Sequence, residues 1–110
     1  MKYIKAYEGK KYKPIVKGDY IKIKPTIGKT EASEKRSLGP FRFCRDAIFI
    51  AREDGDDLNI QLDWAGDYIG YNNYHYTGYA GVLSTQCLQV LTPEEVKQWK
   101  LEQVAKKYNL

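Results

Sequence analysis

The amino-acid sequence predicts a mainly β fold: a small antiparallel barrel of five or more strands with one C-terminal α-helix. Apolar and polar residues alternate in short runs, most clearly in LNIQLDW at 58–64, which is the pattern of half-buried strands. Turn-forming Gly, Asn, Asp and Ser residues separate these runs, and a helix-start signal, TPEE at 92–95, follows them. Consecutive short strands joined by tight turns are typical of small barrels.

The 110 residues are expected to form a single domain, 1–110, with the barrel over 2–91 and the helix over 93–108. A chain of this size buries roughly 60–70% of its unfolded surface, which is enough for one modest core. No run approaches the roughly 18 consecutive apolar residues of a membrane span, and the N-terminus lacks the apolar segment of a signal peptide. We therefore expect a cytoplasmic protein with reduced cysteines and no membrane partner.

The N-terminal half contains one clear strand and one long loop. Residues 2–8 alternate weakly and are interpreted as a first strand or arm. Ile21 and Ile23 are expected on the buried side of a strand that Pro25 ends, because proline removes a backbone donor. Residues 26–39 hold few large apolar groups, so we predict a long mobile loop there.

The middle of the chain predicts further strands. Residues 41–53 favour a strand with a bend near Arg45, and residues 54–57 favour a hairpin turn. The strand at 58–64 is the cleanest. Its predicted inward side chains are Leu58, Ile60, Leu62 and Trp64. A hairpin or structured loop is expected over 65–81 and a last short strand over 82–91.

The C-terminal segment predicts an amphipathic helix. Thr92 and Glu95 have the spacing of a capping box, and Pro93 stands at the first helical position. The predicted apolar stripe consists of Leu101, Val104, Ala105 and Tyr108. Trp99 lies nearer the other side of the helix, where it is a candidate contact for a partner.

The segment GYAGVLSTQCLQVL, 78–91, resembles the closing segment of Src-homology-3-like barrels. In that family a Gly-x-x-Gly strand with two apolar residues runs into one 3₁₀ turn, and a short strand then closes the barrel. Gly78 and Gly81 match the glycines, and Ser84–Gln86 match the turn. KGDYIKI at 17–23 and AYE at 6–8 resemble two further family motifs. The resemblance implies the fold but not a specificity for proline-rich peptides, because Ser84 stands where the family most often has proline.

The net charge of +4 conceals a strong segregation along the chain. Residues 1–52 hold fourteen Lys or Arg against five Asp or Glu, whereas residues 53–96 hold eight acids and no Lys or Arg. Residues 97–110 are basic again, with four Lys against one Glu. This polarity either forms two faces of opposite sign that orient a partner or is cancelled by pairing between the segments.

Five tyrosines fall within twelve residues, out of ten in the chain. Tyrosine offers a large contact area, a polar tip and a low entropic cost, so such clusters are typical of binding surfaces. The alternative is that these tyrosines pack on the barrel or under the helix. The candidate partner-binding residues are Tyr68, Tyr71, Tyr74, Tyr76, Tyr79 and Trp99, with the 26–39 loop beside them.

The basic N-terminal half indicates a second function, in which lysines follow a phosphate backbone and tyrosines stack on bases. The candidate nucleic-acid contacts are Lys10, Lys11, Lys13, Lys22, Lys24 and Lys29. Lysine outnumbers arginine by fourteen to four, which is a weak basis for reading individual bases.

Catalytic and metal chemistry have no supporting motif. The sequence contains no phosphate-binding glycine loop, paired-carboxylate motif or nucleophile elbow. His75 is the only histidine, and Cys44 and Cys87 lack the close spacing of zinc ligands. We therefore predict a non-catalytic binding module without cofactor or metal that recognises a protein partner. A regulator, adaptor or inhibitor, including one from a phage or other mobile element, is the expected kind of protein, and the alternative is a nucleic-acid-binding barrel.

Overall fold

The computed structural model describes residues 15–55 and 58–108. The strands are β1 (Tyr20–Ile23), β2 (Ile48–Ala51), β3 (Asn59–Trp64), β4 (Tyr68–Ile69), β5 (His75–Tyr76), β6 (Tyr79–Ser84) and β7 (Leu88–Val90). The α-helices are α1 (Glu31–Leu38) and α2 (Pro93–Tyr108). Three 3₁₀ helices span Gly39–Cys44, Tyr71–Asn73 and Thr85–Cys87.

Five strands form one antiparallel sheet in the order β6-β3-β2-β1-β7, and β4 and β5 form a separate two-stranded sheet. β1, β2 and β3 are consecutive neighbours, and the β4–β5 hairpin is inserted between β3 and its partner β6. Among the described residues the larger sheet is not closed into a barrel, because β6 and β7 form its two edges. The prediction of a β-rich domain with a C-terminal helix is confirmed, whereas the predicted closure is not observed.

The core lies on one face of the sheet, because alternate residues of each strand point to the same side. Ile21 and Ile23 of β1, Phe49 of β2, and Ile60 and Leu62 of β3 are all nearly or fully inaccessible to solvent. Burying an aliphatic or aromatic side chain of this size contributes about 1.5–3 kcal/mol to stability. The alternation predicted for β1 and β3 is therefore confirmed at these positions.

The mobile loop predicted over 26–39 is wrong for most of its length, because residues Glu31–Leu38 form α1. Thr30 caps the helix: its hydroxyl accepts a hydrogen bond from the Ser33 backbone, and the Ser33 hydroxyl accepts one from the Thr30 backbone. Leu38 is the one buried side chain of α1, so the helix has no apolar stripe from which the sequence could predict it. The caps and tertiary contacts therefore define this helix.

Residues 41–53 are not one bent strand. Gly39–Cys44 is a 3₁₀ helix with proline near its start, and β2 begins only at Ile48. Phe41 turns inward from this 3₁₀ helix and packs edge-on against Phe49, with the ring centroids 5.7 Å apart. The prediction of one strand over 41–53 therefore merged part of a 3₁₀ helix with a strand, two elements whose side chains repeat with different periods.

The predicted bounds of the C-terminal helix are confirmed, and Thr92 and Glu95 make both hydrogen bonds of the capping box. The predicted packing stripe is wrong at Leu101 and Val104, because both side chains are more than half exposed. Trp99 faces the sheet instead, with its ring centroid 5.6 Å from that of Tyr20.

Two predictions fall wholly or partly outside the described residues. The arm at 2–8 and half of the 54–57 turn lie there, so neither can be compared with the structure. Leu58, expected to point inward, is 72% exposed because β3 begins only after it. Within the described part of the chain, no helix has both the length and the apolar character needed to cross a membrane.

Candidate partner-binding groove

An open groove of about 390 Å³ lies beside the β4–β5 hairpin. The groove is lined mostly by aromatic and apolar side chains from four parts of the chain: the 3₁₀ helix at 39–44, the end of β3, the hairpin and the start of β6. The lining residues are Pro40, Phe41, Phe43, Cys44, Trp64, Tyr68, Gly70, Tyr76, Tyr79 and Ala80. We call this feature the aromatic groove.

One wall of the aromatic groove is a contiguous stack of rings. Trp64, at the end of β3, packs against the buried ring of Phe49 at 5.1 Å and stacks on Tyr68 at 5.2 Å. Tyr76 contacts Trp64 at 5.0 Å, which ties the second strand of the hairpin to the same ring. Gly70 is required between these rings, because a Cβ there would lie 2.9 Å from the Tyr76 ring.

The opposite wall comes from the 3₁₀ helix. Phe41 anchors it, since its ring packs on the core and lies 3.2 Å from where a Cβ of Gly81 would be. Phe43 points the other way and is 72% exposed, which is unusual for a phenylalanine. An anchored wall that carries an exposed aromatic ring is suited to contact with another molecule.

Two polar side chains that line the groove, those of Tyr68 and Cys44, are already paired. The Tyr68 hydroxyl donates a hydrogen bond of 2.7 Å to Asp46, and burial together with this bond raises the pKa of Tyr68 well above its usual range. The Cys44 thiol donates to the Phe41 carbonyl, and burial with the nearby Asp46 carboxylate raises the pKa of Cys44 to about 11. Both groups therefore stay neutral at physiological pH.

Two arginines lie over exposed aromatic rings that line the groove. The Arg42 guanidinium is 4.2 Å from the centroid of Phe43, and that of Arg52 is 4.8 Å from the centroid of Tyr79. Arg52 also forms a salt bridge of 3.4 Å with Asp63. The rim rings Phe43 and Tyr79 therefore each have a cationic partner within the chain.

The structure brings together three of the six candidate partner-binding residues: Tyr68, Tyr76 and Tyr79 all line the groove. Tyr74 packs edge-on against Tyr76 at 4.9 Å and is 63% exposed, so it extends the aromatic surface. The backbone of Tyr71 begins a 3₁₀ turn in the hairpin loop.

Trp99 does not join the other candidates in the groove. Its indole lies between α2 and the sheet, and its ring atoms come within 3.6 Å of where a Cβ of Gly66 would be. It also borders a second, more polar cavity of about 280 Å³ between α2 and the hairpin. The geometry fits a packing role for Trp99.

The three candidate nucleic-acid lysines that the structure describes are not among the residues that line the groove. Lys22 forms a salt bridge of 2.7 Å with Glu95 and so joins β1 to α2. Lys24 follows β1, and Lys29 precedes the cap of α1. Lys10, Lys11 and Lys13 lie outside the described residues.

Sequence reasoning missed the 3₁₀ wall and the arginines. A strand over 41–53 would place Phe41 and Phe43 on the same face, which hides their opposite roles as anchor and exposed ring. The signal that could have separated them is the Gly39-Pro40 pair, since proline at the first position favours the start of a helix.

The described residues do not assemble a nucleophile with a base. His75 contacts Asp67 at 2.7 Å, the Cys87 thiol donates to the Ser37 carbonyl, and burial raises the pKa of Cys87. Within 15–55 and 58–108, no group of three or more His, Cys, Asp or Glu side chains could hold a metal ion. The chemistry present in the groove is that of contact and hydrogen bonding.

Comparison of the chain with protein-family models, with curated proteins and with solved structures finds no match.

Proposed function

We propose that this protein is a non-catalytic binding module that recognises a protein partner through the aromatic groove. The observation that carries the proposal is a solvent-open groove of about 390 Å³ with a nearly continuous aromatic lining. Aromatic residues and arginine are enriched at the centres of protein interfaces and supply most of their binding energy. Six of the ten residues that line the groove are aromatic, and Arg42 and Arg52 lie over two of them.

The anchoring of the groove supports the same function. Trp64 and Phe41 each pack on Phe49 in the core, so both walls are held in place before a partner arrives. A preorganised site avoids part of the entropic cost of ordering side chains on binding. The exposed rings of Phe43 and Tyr79 are then available as contacts at its mouth.

We further propose that the sheet is related to the Src-homology-3-like barrels. A 3₁₀ turn, Thr85–Cys87, separates β6 from β7, one residue along from the Ser84–Gln86 turn that the sequence motif predicts. The final strand β7 pairs with β1, the first strand of the described chain. These two features support a shared topology, with the β4–β5 hairpin as an insertion between β3 and β6.

The function is tested by capture of partners with the full chain as bait. The double variant F43S/Y79S removes two exposed rings from the groove, and L101S/V104S removes two exposed apolar side chains from α2 as a matched control. We expect a stoichiometric protein to bind the wild type and the control but to lose at least tenfold in affinity for F43S/Y79S. Equal binding to all three proteins would contradict the proposal.

Nucleic-acid binding is an outcome of the same experiment. Fluorescence anisotropy with labelled single- and double-stranded oligonucleotides would show an affinity that falls steeply with salt if lysines contact phosphates. Tight, salt-dependent binding that F43S/Y79S does not alter would replace the protein-recognition proposal with the nucleic-acid alternative.

A further inference from the structure

We infer that the partner supplies an extended segment that pairs with the edge strand β6, places alternate apolar side chains on the aromatic groove, and carries acidic residues at its ends. This inference rests on the proposed function and specifies the chemistry and conformation of the ligand. Strand addition of this kind uses main-chain hydrogen bonds for affinity and side-chain pockets for specificity.

The first support is the direction of the backbone groups in β6. The Gln61 carbonyl accepts a hydrogen bond from the Arg52 amide, so the backbone of Gln61 faces β2. Successive residues of a strand direct their backbone groups to opposite edges, so the backbone groups of Ile60 and Leu62 point to β6. Their partners on β6, Leu83 and Gly81, direct their own backbone groups to β3.

The backbone N–H and C=O of Val82 therefore point away from the sheet. In the part of the chain that the structure describes, β3 is the only strand paired with β6. These outward groups are a template for a further strand.

The second support is that β6 lacks most of the features that normally protect an edge. Its sequence, YAGVLS, contains no charged residue and no proline, and the side chains of Tyr79 and Val82 are half exposed. Natural edge strands usually carry lysine, proline or a bulge to prevent pairing with another chain. β6 has one irregularity, opposite Leu62/Asp63, which leaves the pairing from Gly81 to Ser84 regular.

The third support is the continuity between this edge and the groove. Tyr79 and Ala80, at the start of β6, are themselves groove residues, and Phe41 lies over Gly81 further along the strand. A segment paired with β6 has side chains on both faces at a period of two. Those on the core side therefore lie on the same face of the sheet as Phe41, which forms one wall of the groove.

The charge of the rim determines the charge of the ligand. Arg42 lies over the groove residue Phe43, and the last turn of α1, just before the 3₁₀ wall, adds Lys35 and Arg36, whereas Arg52 is already paired with Asp63. Acidic residues at the ends of the ligand complement these cations. The chain's own residues 1–14 carry five lysines against one glutamate and are therefore poorly matched to this rim by charge.

The test is a selection from a random twelve-residue peptide library against the full chain, followed by affinity measurements on synthetic copies of the enriched peptides. We expect apolar residues at alternate positions and Asp or Glu at the ends. N-methylation of every second peptide amide should abolish binding in one of the two registers only, because one edge of the ligand pairs with β6. V82P should weaken binding at least tenfold, whereas V82T, which keeps the backbone donor, should bind as the wild type does.

The outcomes distinguish this inference from the proposed function. Peptides that bind through the groove but tolerate both N-methylation registers would overturn strand addition and leave the groove as the binding site. Peptides that bind F43S/Y79S as tightly as the wild type would overturn the groove itself. Failure to enrich any peptide, or enrichment of basic ones, would also contradict the inference. The N-methylation result does not depend on V82P folding.

Discussion

The indole ring of Trp64 and the phenol ring of Tyr68 stack with their centroids 5.2 Å apart and their planes 10° apart. This stack joins the β4–β5 hairpin to the end of β3, because Trp64 packs on the core ring of Phe49 behind it. The tyrosine cluster therefore has two parts. Tyr68 and Tyr76 hold the hairpin against Trp64, whereas at least half of the surface of Tyr74 and of Tyr79 is exposed. A surface built in this way keeps its shape without a partner.

Removal of the Tyr68 hydroxyl should slightly lower the free energy of unfolding at neutral pH. It should also reduce the loss of that free energy at alkaline pH. Y68F deletes the hydrogen bond to Asp46, which contributes about 0.5–1.5 kcal/mol for a typical pair. Because the folded pKa of Tyr68 is raised, its contribution is complete below the ordinary tyrosine pKa of about 10 and is lost as the pH rises further. Urea unfolding at pH 7 and above pH 10 measures both effects. Equal pH sensitivity of wild type and Y68F would contradict the prediction.

The Cys44 thiol should alkylate slowly at neutral pH. Burial and the nearby Asp46 carboxylate raise its pKa to about 11, and the thiolate is the reactive form. The rate with iodoacetamide, followed by peptide mass spectrometry, should rise about tenfold per pH unit up to pH 10. The C87S variant leaves Cys44 as the only cysteine, so the alkylation rate measured on it is that of Cys44. A rate that levels off near pH 8.5 would show an unperturbed thiol.

Substitution of Gly81 should destabilise the fold more than substitution of Gly78. Both glycines have positive φ, +139° and +78°, where a side chain costs on the order of 1–3 kcal/mol. Only at Gly81 would the added Cβ also press on a neighbour, the Phe41 ring at 3.2 Å, whereas Gly78 faces open space. Thermal unfolding of G81V and G78V tests this order. An equal loss in both variants would mean that the ring moves without cost.

Glu95→Gln should remove the salt bridge to Lys22 while it preserves the helix cap, since glutamine can also accept from the Thr92 amide. Lys22 and the Thr92 backbone lower the pKa of Glu95, so its contribution is complete above its ordinary pKa and is lost as the pH falls through the lower folded value. The pair is partly exposed, so the expected cost at pH 7 is below about 1 kcal/mol. The free energy of unfolding should therefore change less between pH 7 and pH 2 in the variant than in the wild type. T92A, which removes the cap acceptor, should cost about 0.5–2 kcal/mol at every pH.

Elements whose signals are local could be predicted from the sequence. Thr92, Pro93 and Glu95 specify the start of α2 through contacts within one turn, so its bounds could be predicted without the rest of the chain. The alternation of Ile60 and Leu62 likewise specifies β3, because the period of a strand is a property of its own backbone. The clustering of tyrosines in the hairpin region also indicated where the candidate site would form.

The tertiary structure alone decided α1, the packing face of α2 and the second wall of the groove. Arg45 donates to the carbonyls of Lys24, Ile27 and Gly28 and pairs with Glu34, which holds α1 against the end of β1. These partners are 11–21 residues away in sequence, so no local pattern records them.

The face of α2 was decided in the same way. Its apolar stripe predicted contact through Leu101 and Val104. In the structure Trp99 packs against Tyr20 of β1 instead, and Glu95 forms a salt bridge with Lys22 of the same strand. A helix presents several faces of similar hydrophobicity, and the surface it meets selects among them. The physical reason is common to all three cases: the free energy of a contact between distant residues exists only once the chain has brought them together.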